Sequence, residues 1–78
     1  MSISITKSGL DEGYQAYSFV FDNGSTEIRT RESLIDDREG FEVILDNRQM
    51  TADQRRQIRI ALERVNEQIE LIDGLESE

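Results

Sequence analysis

Seventy-eight residues, 36% of them apolar and none of them Cys or His, allow one small globular domain and exclude disulfide staples, zinc sites and imidazole catalysis. Seventeen carboxylates against nine basic groups leave a net charge of −8, which bears on partners and solubility and not on fold. A chain this short buries only about 60% of its unfolded surface, so its stability margin is thin and oligomerisation is a common remedy.

Ser2 to Ser8 alternates, with Ile3 and Ile5 on one side, the period of a half-buried strand. Gly9 to Gly13 reads as a connection. Tyr14 to Phe21 is aromatic-rich and alternates again, and Asp22-Asn23-Gly24-Ser25 follows. Asn-Gly is the strongest short hairpin signal, because a type I′ turn needs φ > 0 at both central residues. A two-residue Asn23-Gly24 loop sets Phe21 opposite Thr26, Phe19 opposite Ile28 and Tyr17 opposite Thr30. It places Tyr17, Phe19, Phe21 and Ile28 on one face.

Arg31 to Glu39 reads either as a helical turn closed by Gly40 or as a loop. Phe41 to Leu45 is strand-like, with Phe41, Val43 and Leu45 on one face. Thr51 and Gln54 have the spacing of a capping box, so a helix starts there and runs to about Asp73, where Gly74 can close it. Ile58, Leu62, Val65, Ile69 and Ile72, with Ala61, form an apolar stripe about 100° wide. The predicted class is α+β: a small antiparallel sheet of three to four strands under one long C-terminal helix, with room for a short helix between strands.

The charges are segregated. Asp11 to Asp46 holds ten acids against Arg29, Arg31 and Arg38, while Arg48 to Arg59 is a basic belt broken only by Asp53. Basic Arg55, Arg56 and Arg59 near the start of the long helix, and acidic Glu70, Asp73, Glu76 and Glu78 near its end, oppose the helix dipole. Ile60 and Leu71 are nearly eclipsed on what reads as the back of that helix, with Arg64 and Glu67 between them. Two copies packed antiparallel through Ile60, Arg64, Glu67 and Leu71 would set each basic end beside the partner's acidic end, a C2 homodimer. Exposed charges and scattered surface apolar residues are also ordinary, and need no partner.

The residue inventory points away from catalysis and toward binding. Lys7 lacks an obvious partner for a nucleophilic dyad, and no Gly-rich loop precedes a helix in phosphate-binding fashion. The acids around Gly40 fail the EF-hand spacing, since the first ligand position would fall on Ile35. No cofactor is implied. A surface of this sign repels the nucleic-acid backbone, so direct nucleic-acid binding is not expected. No apolar run approaches the ~20 residues of a membrane span, and Met1 to Ser4 lacks the features of a signal peptide, so the expected location is the cytoplasm. What remains is binding to protein. Asp36, Asp37, Glu39, Glu42 and Asp46, with Glu70, Asp73 and Glu76 from the helix end, are the candidate contact residues, arranged as a mimic of phosphates for a cationic channel.

Glu12-Gly13-Tyr14-Gln15-Ala16-Tyr17-Ser18-Phe19 leads into the acidic Asp22-Asn23-Gly24-Ser25 turn, and the tail from Glu67 to Glu78 is apolar and acidic. In these stretches the chain resembles the small acidic phage anti-CRISPR proteins. The resemblance covers about a third of the chain, and the N-terminal helix of that family is replaced here by a strand. It implies a phage-encoded inhibitor that binds a CRISPR effector, a host ribonucleoprotein complex, and blocks DNA access through acidic residues. Two other expectations fit the same charge: a dimeric structural or accessory phage protein, and a partner that neutralises a basic toxin.

Overall fold

Three strands, β1 (Ser4–Asp11), β2 (Tyr14–Val20) and β3 (Thr26–Thr30), pair antiparallel in the order β1-β2-β3, and two helices, α1 (Arg31–Leu45) and α2 (Ala52–Glu76), follow. The structure is a computed structural model that describes residues 3–77. Ser2, the first residue of the expected strand, and Glu78 lie outside the described residues. The α+β class, the antiparallel sheet and the long C-terminal helix match what the pattern predicts.

The stretch Gly9–Gly13 is less of a loop than the sequence suggests. β1 continues to Asp11, and only Glu12 and Gly13 turn the chain, with φ of 51° and 86°. These are the positive φ values that a tight hairpin loop requires. Gly9, at φ 87°, sits where the register shifts between Lys7 and Leu10, a bulge that absorbs one strand's extra length.

The second hairpin corrects the expected register. Gly24 alone has positive φ (84°), and its N–H donates to the Phe21 carbonyl at 2.9 Å while Phe21 N–H donates to the Ser25 carbonyl at 2.9 Å. The loop therefore has three residues, Asp22 to Gly24, braced by Asn23 Oδ1, which accepts from Ser25 N (3.0 Å) and Ser25 Oγ (2.7 Å). Phe19 faces Glu27 and Ser18 faces Ile28. One residue of slip sends every side chain of a strand to the other face. Ile28 is accordingly 60% exposed, and Glu27 and Arg29 share the helix-covered side with Phe19 and Tyr17.

The expected strand at Phe41–Leu45 is the last part of α1. Thr30 caps this helix by accepting from Ser33 N at 3.1 Å, and Glu32 supplies an acid in the first turn. Leu34, Arg38, Phe41 and Leu45 recur at steps of four, three and four, so the inward stripe is helical with one arginine in it. Leu34 is completely buried, whereas Val43 is 71% exposed. The helix runs through Gly40 without stopping.

α2 starts on the capping box: Thr51 Oγ1 accepts from Gln54 N (3.2 Å) and Gln54 Oε1 accepts from Thr51 N (3.0 Å). It passes Gly74 and ends at Glu76, with Ser77 as the cap. Of the expected stripe, Val65, Ile69 and Ile72 are buried, and Ile58, Ala61 and Leu62 are half-buried. The reason is length. Twenty-five helical residues span about 37 Å, and a strand of seven spans about 23 Å, so the first half of α2 overhangs the sheet. The radius of gyration is 13.8 Å, against about 11.5 Å for a compact chain of this length. The core is where α2 crosses β2: Tyr17, Phe19, Phe21, Leu34, Val65, Ile69 and Ile72.

Candidate functional site

α1 buries Leu34 and half-buries Phe41 on one side, and the opposite side of that helix is acidic. Glu32, Asp36 and Glu39 lie four and three residues apart, hence in one row, with Glu42 and Asp46 flanking its continuation. All five are exposed. None has a hydrogen bond or ion pair from its side chain among the described residues. Over fourteen residues this row is about 21 Å long, with a carboxylate every 4.5–6 Å or so of rise. Glu32 was not among the expected contact residues. Thr30 followed by Ser33 is the capping signal that would have extended the helix back to include it.

Other expected contact residues do structural work. Asp37 is on the flank of α1 and takes a hydrogen bond from Arg29, which also approaches Glu27 at 3.8 Å and donates to Ser33 Oγ at 3.3 Å. Asp73 accepts twice from Arg31, at 2.8 and 3.3 Å. Glu76 accepts from the Tyr17 hydroxyl at 2.6 Å and lies 3.4 Å from Lys7 Nζ. Glu70 is exposed on α2, with no such bond among the described residues.

Contacts between the helices engage some of the charges that oppose the dipole of α2. The two helices run antiparallel, so the start of α2 meets the end of α1. Arg55 donates to the Leu45 carbonyl at 2.8 Å and to the Asn47 carbonyl at 2.7 Å, capping the carbonyls that α1 leaves open. At the other end, Arg31 at the start of α1 meets Asp73 near the end of α2. Arg55 and Asp73 are thus used inside one chain, while Arg59 and Glu70 have no ion pair or side-chain hydrogen bond among the described residues. The expected dimer face is also divided. Ile60 is 60% exposed, but Arg64 lies over the Phe21 ring at 4.0 Å from its centre and Leu71 packs on the core. Glu67 is half-buried between them.

The contacts at the helix end set a pH dependence. The Tyr17 hydroxyl is pushed up to about 12 from 10.0, first by its hydrogen bond to Glu76 and then by burial. The same bond holds Glu76 below its ordinary 4.5, and Arg31 holds Asp73 below 3.8. A raised folded-state value means that the neutral phenol favours the fold: this contribution is intact below pH 10 and is lost as pH climbs from 10 through about 12. The two carboxylates work in the other direction, stabilising above their ordinary range and losing that stabilisation as pH falls through their lowered values. The urea midpoint of the wild type should therefore fall across the alkaline window, and Tyr17→Phe should flatten that fall. Equal alkaline losses in both proteins would show that the Tyr17–Glu76 bond is not formed.

Among the described residues no group of three His, Cys, Asp or Glu side chains is placed to hold a metal ion, and no helix is long and apolar enough to cross a membrane. Comparison with known proteins adds no kinship: no protein family, no curated protein and no solved structure matches the chain.

Proposed function

We propose that the protein is a binding module and not a catalyst, and that it inhibits a nucleic-acid-processing complex by laying the acidic row of α1 against a cationic surface where nucleic acid would otherwise bind. The observation that carries this reading is that Glu32, Asp36, Glu39, Glu42 and Asp46 are exposed and have no hydrogen bond or ion pair among the described residues, while Asp37, Asp73 and Glu76 are spent on internal contacts. The row is sparser than a phosphate backbone, which advances about 3.4 Å per charge on one strand, but it is fixed on a rigid helix and lies opposite a packed core. The resemblance to phage anti-CRISPR proteins makes a CRISPR effector the specific partner, met in the cytoplasm of the infected cell. A toxin-neutralising protein would use the same row without competition from DNA, whereas in a dimeric accessory protein the row would be solvated surface only.

The test uses a purified CRISPR effector complex, with binding measured with and without target DNA at several salt concentrations. Asp36→Lys with Glu39→Lys should weaken binding at least about tenfold and make it less salt-sensitive, because fewer attractive charges remain to be screened. Target DNA should compete with the wild-type protein. Unchanged affinity in the reversed variant, with its circular dichroism intact, would remove the row from the interface. Binding unaffected by DNA would remove inhibition by mimicry.

A further inference from the structure

We infer a second docking site, separate from the acidic row: a groove on the edge of α2 that takes an apolar anchor flanked by arginine or lysine from a partner protein's segment. The groove holds about 340 Å³ between α2, the residue that precedes β1 and the β2–β3 turn. That is within the size range of sites that enclose a ligand group, roughly 300–1,000 Å³.

Its lining combines apolar side chains with more carboxylates than cations. Ile3, Phe21 and Ile60 are its apolar lining, and Ile60 remains 60% exposed, a large side chain left uncovered beside a well-packed core. Glu63 and Glu67 line it one helical turn apart, about 6 Å along the axis. Neither has an ion pair among the described residues. Arg64, which also lines the groove, lies over the Phe21 ring, 4.0 Å from its centre. This placement does two things. It braces the aromatic wall of the groove, and it leaves Glu63 and Glu67 without an ion pair, so that with Asp22 the carboxylates of the lining outnumber its one cation.

The charge selects the occupant. On a chain of net charge −8, an anionic or neutral segment gains nothing from these carboxylates, and a purely basic segment leaves the apolar lining uncovered. A segment with one large apolar side chain and basic neighbours satisfies both parts, because the anchor covers Ile60 and Phe21 while its neighbours reach Glu63 and Glu67. The groove lies on the edge of α2 away from α1, since Asp73 and Arg55 mark the α1 side. The acidic row can therefore fail as an interface while the groove stands.

The probe is a synthetic helical peptide with a single Leu and four Arg, titrated into the full chain while backbone amide shifts are followed. Two controls replace the Leu by Ser or the Arg residues by Glu. The Leu/Arg peptide should shift amides at Phe21 and from Ile60 to Glu67, the Ser control should bind at least about tenfold more weakly, and the Glu control should not bind. Ile60→Ser, and separately Glu63→Gln with Glu67→Gln, should each weaken the Leu/Arg peptide at least about fivefold with the circular dichroism spectrum unchanged. Asp36→Lys with Glu39→Lys should leave this binding as it is, which separates the groove from the acidic row. The proposal is overturned if the shifts map to α1 alone, if the Ser control binds as well as the Leu peptide, or if neither groove variant weakens binding.

Discussion

Phe19→Ala should lower stability by about 3–5 kcal/mol, and Ile28→Ser by about 0.5 kcal/mol or less. The contrast comes from one turn. Phe19 is fully enclosed at the centre of the core, beneath α2, whereas Ile28 is 60% exposed on the uncovered face of the sheet. A domain of this length has a total stability of about 4–12 kcal/mol, so the Phe19 variant should be largely unfolded at modest urea concentrations and the Ile28 variant should retain the wild-type midpoint. With a two-residue loop at Asn23-Gly24 the two side chains would share one face, and both replacements would be costly. Comparable losses in the two variants would therefore reject the three-residue loop and the register that follows from it.

Gln68→Met should raise stability, by about 1–2 kcal/mol. Gln68 is 1% exposed, and its Nε2 has no hydrogen-bond partner among the described residues. A buried donor without an acceptor costs about 1–3 kcal/mol of lost hydration. Methionine has nearly the same length and shape, and fills the space without that cost. For a domain of this size each kcal/mol moves the melting temperature by about 4–8 °C, so the gain is measurable in a single thermal scan. A loss of stability in the variant would mean that the amide is bonded in solution, and would make Gln68 part of a polar contact.

The features read well from sequence are those decided within a few residues. The Thr51–Gln54 cap and the alternation in β2 need no knowledge of the rest of the chain, and both are present. The apolar stripe of α2 is also there, but its first half cannot be buried because the sheet is too short to reach it. The hairpin register failed because Asn-Gly sequences fit more than one loop, and here Gly24 takes the positive φ without Asn23. Phe41 to Leu45 was ambiguous in principle. Phe41, Val43 and Leu45 alternate as in a strand, yet Leu34, Phe41 and Leu45 also fit a helix, and Gly40 between them is a common helix stop. Enclosing Leu34 against Phe19 and Ile69 settles the choice, which is a tertiary effect.

The candidate site divides the same way. Which residues are acidic is plain from the sequence, and so is their crowding between Asp36 and Asp46. Which of them are free is not, because the contacts that occupy the others join residues 42 apart in Arg31–Asp73 and 59 apart in Tyr17–Glu76. The resemblance to anti-CRISPR proteins names a partner class but carries no contact residue across. The assignment of the row to α1 comes from the fold.

Both margins of the sheet carry features that disfavour strand addition. On one side the bulge between Lys7 and Leu10 bends β1 and breaks its run of donors and acceptors. On the other, β3 is only five residues long and turns Glu27 and Arg29 toward the helical layer, where an added strand would have to bring matching polar groups. Short, bulged or inwardly charged outer strands are the means by which β proteins resist fibre growth. Both features disfavour edge-to-edge pairing between copies of the chain.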